Sequence, residues 1–456
     1  RALVELRRAH DKVAGDGGSE LLRMLQQHAG ATWDDGVQKV HIRVSLSVPP
    51  QTMVMMVPHD NRFYGRSGEL KRVSKALVER GARVLLHGPP GVGKDSLAKA
   101  LFDRKYSDFQ KKVAKLHNPE ETKETFYQGW VQGSSALLLE QQLVSYFHRV
   151  VPDFLVGTAA QEKKPLESIR DWLTKHHHWI FYVEDATLES CELLQNVFPK
   201  TANGHVLVTS KSELSQTDWS TRRIRIEPFE AFESVCMWQN IVGSKVSASY
   251  SVAEERTLEE FLKTDIGGLP LSLRLCAVLC RKIQKPVGEF VSEFKSMDLA
   301  TLDQDGKFPE DSSAHFLGLV RSTMLVVKRI KVCKEEAVSW QDGRAYSRAL
   351  EVLSAMSILP SSGVPLGVLN GWLSVEALEE AMEVLADYGL VQSSNSIDRS
   401  CTMHQMVARC VRDRVESHVL ESKDASRILV GRVFSSMLSI AKSLLKTQQL
   451  GYRFGR

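Results

Sequence analysis

The sequence is poor in the features that mark secreted, metal-binding and membrane proteins. Its 456 residues include only seven cysteines, scattered between Cys191 and Cys410 without metal-ligand spacing. This pattern excludes a dense disulfide framework and predicts a reducing, cytoplasmic environment. No apolar run approaches the roughly 18 residues that a membrane-spanning helix needs, so we do not expect a membrane partner.

The sequence also lacks a large excess of charge of either sign. Lys and Arg number 59 and Asp and Glu number 55, which gives a net charge of +4 at pH 7. So small an excess over this length does not indicate a nucleic-acid partner or an anionic membrane surface. Hydrophobic residues make up 43% of the sequence, which is enough to give each of roughly two to four domains its own core.

Short apolar strands alternate with helical stretches between about residues 59 and 228, which indicates an α/β domain with a parallel sheet. The predicted strands are Val84–His87, Thr125–Val131, Trp179–Val183, His205–Thr209 and Ile224–Glu227. Helices are predicted between them, notably over Ser96–Arg104 and Ser135–Val150. Beyond residue 228 strands become scarce and helical periodicity dominates.

The remaining patterns divide the chain into five predicted segments. The alternating run KVHIRVSLSV predicts a strand after two short N-terminal helices. The turn-rich run Asp303–Ser313 indicates a boundary, and the strand-like pair LVQSS and CTMHQ after helices suggests a winged helix. The segments are 1–58, a linker or the end of an upstream domain; 59–228, a P-loop nucleotide-binding domain; 229–310, a helical domain; 311–420, a winged-helix domain; and 421–456, a helical extension that could open a repeat or sensor region.

A glycine-rich run, GPPGVGKD, follows the apolar strand VLLH and precedes the helical LAKALFDR. Backbone N–H groups of such a loop, together with a helix N-terminus, form a concave site for a di- or triphosphate. Lys94 would reach the β- and γ-phosphates as a point charge. The predicted nucleotide-binding residues here are Gly88, Pro89, Pro90, Gly91, Val92, Gly93, Lys94, Asp95, Ser96 and Leu97.

Asp95 departs from the usual phosphate-loop pattern, in which a Ser or Thr follows the lysine and binds Mg²⁺ through its hydroxyl. Its carboxylate could bind Mg²⁺ directly, and Ser96 stands next to it. The same carboxylate places negative charge near the phosphates and repels them unless a metal intervenes. We therefore expect binding of ADP or ATP, with Mg²⁺ as a candidate ion, and slow ATP hydrolysis at most.

Two acids, Glu184 and Asp185, end the apolar run WIFYVED. At the carboxyl end of a central strand, one acid can hold Mg²⁺ and the other can polarise the attacking water. We assign Glu184 to the metal, with Asp95 and Ser96, and Asp185 to the water, so both acids are catalytic candidates. Acids that simply end a strand at the surface would give the same pattern. The next apolar run, HVLVTSK, ends in Lys211, which could sense the terminal phosphate.

Seven motifs along the chain, taken in order, resemble those of the NB-ARC class of STAND signal-transduction ATPases, which includes plant disease-resistance receptors and apoptosome-forming proteins. The motifs are FYGRSGEL, GPPGVGKDS, FYQGWVQG, IFYVED, VLVTSK, GGLPLSL and MHQMV. The resemblance covers roughly residues 59 to 420. It implies an adenine side lined by Phe63, Tyr64, Gly65 and Arg66. It also implies that Leu269 and Pro270 pack against the base and that His404 touches the β-phosphate of bound ADP.

The resemblance implies a switch of the innate-immune or cell-death type. A histidine from a distant domain reaches the diphosphate only when the domains are closed, so ADP would favour the closed state and ATP exchange would release it. Opened chains would then self-associate into a ring or filament. The chain begins with Arg1, and we expect upstream effector and downstream sensor domains in a longer protein.

Four positions depart from the NB-ARC pattern and favour slow or absent turnover. They are Asp95 for the hydroxyl residue, Glu184 for the first aspartate, Lys211 for the sensing arginine and Gln405 for the aspartate after the histidine. Two other interpretations stay open. A DNA-binding P-loop ATPase or transcription regulator can also combine a phosphate loop with a winged helix, and a degenerate scaffold could keep the fold without nucleotide turnover.

Overall fold

In a computed structural model the chain folds as two units. One unit is Thr52–Ala277, and the other joins Arg1–Gln51 to Val278–Arg456. The described residues are 32–34, 39–41, 63–77, 79, 81–102, 127–151, 164–176, 179–198, 204–214, 219–220, 222–247, 249–297, 314–359, 364–393, 400–412 and 428–439. The five-segment division of the chain stays a prediction.

Strands and helices alternate in the first unit and give way to helices in the second. The strands are β1 (Thr32–Asp34), β2 (Lys39–His41), β3 (Arg83–His87), β4 (Tyr127–Gln132), β5 (Trp179–Glu184), β6 (His205–Ser210), β7 (Arg222–Arg225), β8 (Val364–Pro365), β9 (Val391–Ser393) and β10 (Ser400–Met403). The helices are α1 (Ser67–Ala76), α2 (94–102), α3 (Ala136–Val150), α4 (Pro165–Lys175), α5 (Leu188–Val197), α6 (Ala231–Val242), α7 (Ser244–Ser247), α8 (Val252–Thr264), α9 (Pro270–Ile283), α10 (Val287–Ser296), α11 (Ala314–Glu336), α12 (Trp340–Ile358), α13 (Leu366–Leu369), α14 (Val375–Asp387), α15 (Gln405–Arg412) and α16 (428–439).

Five strands of the first unit form one parallel sheet in the order β4-β5-β6-β3-β7. The inner strand β5, second in this order, is at most 2% exposed from Trp179 to Val183, as expected of a parallel strand that is covered on both faces. Because all five strands run the same way, their carboxyl ends meet at one edge of the sheet. This finding confirms the predicted α/β fold with a parallel sheet.

Helices α3, α4 and α5 pack together over this sheet and close a core rich in aromatic side chains. The sequence fixes where two of them begin. Ser135 caps α3 by accepting the N–H of Leu138 at 3.2 Å, and Thr187 with Ser190 forms a capping box at the start of α5. Such caps satisfy N–H groups that have no partner inside the helix.

The edge strand β7 corrects one sequence prediction. Ile224–Glu227 was the predicted strand, whereas the ladder with β3 pairs Arg222–Arg225. The prediction followed the two isoleucines, but an edge strand has a side open to solvent and tolerates the charged residues that precede them. The backbone still follows β3 one step further, since Ile226 N–H donates to His87 O at 2.8 Å.

The second unit is mainly helical, with α11, α12, α14 and α15 packed on one another. It also holds a three-stranded antiparallel sheet in the order β8-β10-β9. The predicted strand pair is present, because Met403 lies opposite Val391 in the β9–β10 ladder. The SNSID turn between them lies outside the described residues.

The N-terminal prediction falls largely outside the described residues. Of the predicted strand KVHIRVSLSV, the structure describes β2, which pairs antiparallel with β1. The two helices predicted before it are not among the described residues. Across the described part of the chain, none of the helices combines the length and the apolar character needed to cross a membrane.

Candidate nucleotide-binding site

The glycine-rich run forms a loop between β3 and α2 at the carboxyl edge of the parallel sheet. Gly88, Gly91 and Gly93 have φ values of 147°, 80° and 91°, in the region that favours glycine. At Gly88 a Cβ atom would also lie 2.3 Å from the carbonyl oxygen of Ile226. The loop therefore needs glycine at this position both for its backbone conformation and for its contact with the segment after β7.

Lys94 is buried at the start of α2, and its ammonium lies inside the loop. Nζ donates hydrogen bonds to Gly88 O at 2.9 Å and to Pro89 O at 3.0 Å. Burial lowers the pKa of Lys94, the charges of Asp95 and Asp185 oppose this, and Lys211 adds to it. A cation held at a helix N-terminus beside backbone N–H groups suits the oxygens of a phosphate.

Asp95 turns from the loop toward the sheet. Its Oδ1 accepts hydrogen bonds from the hydroxyl of Tyr182 on β5 at 2.7 Å and from Oγ1 of Thr209 on β6 at 2.8 Å. The Thr209 oxygen also accepts the N–H of Asp185 at 3.1 Å. Burial first, and then the charges of Asp95 and Glu184, raise the pKa of Tyr182 well above its ordinary value, so its hydroxyl stays a donor.

Glu184 and Asp185 come at the end of β5 as predicted, but their partners differ. Oε2 of Glu184 accepts hydrogen bonds from Trp130 Nε1 at 3.1 Å and from Gln132 Nε2 at 2.9 Å, both on β4. Asp185 has a φ of 54° and pairs with Lys211, whose Nζ lies 3.4 Å from Oδ2. The three acids at this edge are thus each engaged by protein groups.

The predicted magnesium ligands Asp95, Ser96 and Glu184 lie at this edge of the sheet, and their role as a magnesium set stays a prediction. Mg²⁺ in nucleotide sites is held by one or two protein oxygens together with the phosphates. Asp95 and Glu184 each have one oxygen taken by two protein donors. The third predicted ligand, Ser96, is exposed at the start of α2.

Arg66 forms several contacts within the protein, and its predicted place at the adenine stays a prediction. It is 3% exposed with a φ of 60°. Its Nη1 atom donates to Glu69 Oε1 at 2.8 Å, its Nη2 atom donates to Val92 O at 3.0 Å, and the guanidinium lies 4.5 Å from the ring centre of Phe229. Arg66 therefore positions the phosphate loop. Phe63, Tyr64 and Gly65 lie next to it and are partly exposed.

The GGLPLSL segment touches the phosphate loop directly. Leu271, in the first turn of α9, donates its N–H to Gly91 O at 3.3 Å. Phe229 donates its N–H to Gly268 O at 2.8 Å, which ties the start of α9 to the entry of α6. The predicted contact residues Leu269 and Pro270 begin α9 beside these bonds, so the structure brings them to the loop.

His404 belongs to the second unit and caps a helix there. Its Nδ1 accepts the N–H of Met406 at 3.2 Å, at the first turn of α15. A neutral imidazole that accepts at Nδ1 carries its proton on Nε2. The predicted contact between His404 and a β-phosphate stays a prediction.

The sequence patterns missed the side chains that hold the acids. Tyr182, Trp130 and Gln132 were not singled out, although Tyr182 shares a face of β5 with Glu184 at period two. The rings of Trp130 and Tyr182 are tilted by 55° with their centres 3.9 Å apart, and Lys99 Nζ lies 5.3 Å from the centre of the Trp130 ring. These contacts depend on which strand lies beside β5. Short-range sequence patterns do not specify the neighbour of a strand.

Comparison with known proteins gives structural likenesses alone. No family profile and no curated protein matches the sequence. A STAND protein with a tetratricopeptide repeat sensor from Pyrococcus horikoshii is 15% identical with a TM-score of 0.49; the match covers 86% of this chain and 51% of that one, so this chain spans about half its length. A Walker-type ATPase of Pyrococcus abyssi (13% identity, TM-score 0.36, 77% and 97% covered) and the Aeropyrum pernix ORC2 protein (11%, 0.33, 87% and 98%) are also similar. All three TM-scores lie below 0.5.

Proposed function

We propose that this chain is the nucleotide-binding core of a STAND signalling switch of the innate-immune or cell-death type. It holds ADP in a closed resting state and opens when ATP replaces ADP. Opened chains then assemble into a ring or filament. The proposal includes a cytoplasmic location, a winged helix formed around β8, β9 and β10, and effector and sensor domains in a longer protein.

The arrangement around Lys94 carries the proposal. A buried ammonium lies in a glycine loop between a strand and a helix, at the edge where the five parallel strands end. Loops of this kind bind the phosphates of nucleotides through backbone N–H groups and the lysine. Thr209 and Lys211 come from the end of the adjacent strand β6, where a γ-phosphate would be sensed.

The contacts of α9 would couple the bound nucleotide to the position of this helix. Because Leu271 N–H bonds to Gly91 O, a shift of the phosphate loop changes the first turn of α9. His404 would add the second contact, with Nε2–H as the donor to the β-phosphate. A nucleotide shifts such an equilibrium only through contacts that differ between the two states, and these two are our candidates.

The low expected turnover follows from the acids. Asp185 pairs with Lys211, and Glu184 is held by two β4 donors. A fast hydrolase needs a general base within hydrogen-bond reach of the attacking water. In this site both acids are already engaged by protein groups. We therefore propose that the chain binds ATP and hydrolyses it slowly at most.

Calorimetric titration of the chain with ADP and with a non-hydrolysable ATP analogue tests the proposal. We expect K94A to weaken both affinities about thirtyfold, since it removes a charge-assisted contact to the phosphates. K71A removes an exposed lysine of α1 and should bind both nucleotides like the unaltered chain. Failure of the unaltered chain to bind either nucleotide would refute the proposal.

A further inference from the structure

We propose that this site binds its nucleotide diphosphate without a divalent cation, because two buried hydroxyls of the sheet engage Oδ1 of Asp95. The inference rests on the proposed function and states that the bound nucleotide is metal-free. It rests on Asp95, Tyr182 and Thr209, which three different elements bring together.

The two hydroxyls that hold Asp95 belong to the protein core. Tyr182 and Thr209 are both 0% exposed, and their oxygens lie 2.7 and 2.8 Å from the same Oδ1 atom. If Oδ1 of Asp95 turned toward a metal, at least one of these buried hydroxyls would lose its acceptor. An unpaired buried polar group is destabilising, so the bonds hold Asp95 in place.

The second candidate ligand is engaged in the same way. Glu184 accepts both of its recorded hydrogen bonds on Oε2, and the donors Trp130 and Gln132 lie on the neighbouring strand β4. The Trp130 ring is further fixed by its contact with Tyr182. The acids that would coordinate Mg²⁺ in a conventional site are therefore parts of one network that ties α2, β4, β5 and β6.

Other groups can balance the phosphate charge. Lys94 supplies a full positive charge within the loop, and the first turn of α2 supplies N–H groups with the positive end of a helix dipole. The two hydroxyl donors also draw the negative charge of Asp95 toward the sheet. A diphosphate can bind to this set without a bridging ion.

Titration of the chain with ADP, in EDTA and in excess Mg²⁺, tests the inference. We expect the dissociation constant of the unaltered chain to differ by less than about threefold between the two conditions. D95S restores the hydroxyl that ordinarily binds Mg²⁺ after the lysine, so its ADP affinity should rise about tenfold when Mg²⁺ is added. D171S makes the same substitution at an exposed aspartate of α4 and should stay indifferent to Mg²⁺.

A second variant covers the case in which D95S does not fold. Y182F keeps the buried ring and removes one of the two donors, so Asp95 is less restrained and a gain of about threefold with Mg²⁺ is expected. Binding by the unaltered chain that tightens more than about threefold with Mg²⁺ overturns the inference and leaves the proposed function standing. Mg²⁺-indifferent binding by D95S, or by Y182F where D95S does not fold, also overturns it. Absence of ADP binding in both conditions overturns the proposed function and this inference together.

Discussion

At the scale of single residues, the surroundings of Glu184 raise the pKa of its carboxyl group. Burial, followed by the charge of Asp95, raises the pKa of Glu184 from 4.5 to about 7, while Lys99 and the hydrogen bond from Trp130 lower it by less. The folded chain therefore keeps a proton on Glu184 over a range of pH in which the unfolded chain has lost it. Linkage then ties the stability of the fold to pH.

The sign of this dependence can be predicted. Between pH 4.5 and about 7 the folded state binds more protons at Glu184 than the unfolded state, so the free energy of unfolding falls as pH rises. The contribution is fully present below pH 4.5, is lost as pH passes about 7, and amounts to about 3 kcal/mol at most. E184Q cannot titrate and should show a flatter profile in urea unfolding between about pH 5 and about pH 8.

The control for this prediction is E167Q, which alters an exposed glutamate in the first turn of α4. Its unfolding profile should keep the slope of the unaltered chain. If E184Q also keeps that slope, Glu184 does not hold its proton in the folded state.

At the scale of elements, Arg66 joins three parts of the first unit that are distant in sequence. It precedes α1, donates to Val92 in the phosphate loop, and its backbone N–H donates to Glu233 on α6 at 3.2 Å. The guanidinium also pairs with Glu69, with the two side chains 4% and 21% exposed. The guanidinium thus joins the phosphate loop to α1, and the backbone N–H of Arg66 adds a bond to α6.

Removal of this cation should destabilise the fold. We expect R66A to lower the free energy of unfolding by about 3 kcal/mol, because it leaves Glu69 and the Val92 carbonyl without their donor. R66K keeps the charge but loses the planar fork, so its loss should be smaller. Thermal unfolding measures both. The exposed pair Arg222–Glu79 has the same 2.8 Å separation, and R222A should leave the melting temperature unchanged; equal shifts in R66A and R222A would contradict the assignment.

The elements also show what could be predicted from the sequence. Apolar runs located β3, β4, β5 and β6 to within one or two residues, and Ser135 marked the start of α3, because these features depend on neighbouring residues. The partners of Asp95 could not be predicted in that way. Tyr182 is 87 residues and Thr209 is 114 residues away in sequence, and they meet Asp95 only through the order and register of the sheet.

At the scale of the whole molecule, the proposed switch depends on His404. This residue lies in the unit that contains α15, and the phosphate loop lies in the other. A bond from His404 Nε2 to the β-phosphate would form in the closed state alone, so it would give ADP a preference for that state. His404 also caps α15, so a test must separate the two roles.

Two substitutions at His404 make that separation. H404A removes both the cap and the Nε2 donor, whereas H404N keeps an oxygen that can accept the N–H of Met406, because asparagine is a strong N-cap residue. If His404 holds the β-phosphate, both variants should bind ADP about tenfold more weakly and form larger species in ADP, as measured by light scattering after size exclusion. Their affinity for a non-hydrolysable ATP analogue should be unchanged. An H404N variant that matches the unaltered chain in ADP affinity and size would show that His404 acts as a cap, and the closing contact would then have to come from another residue.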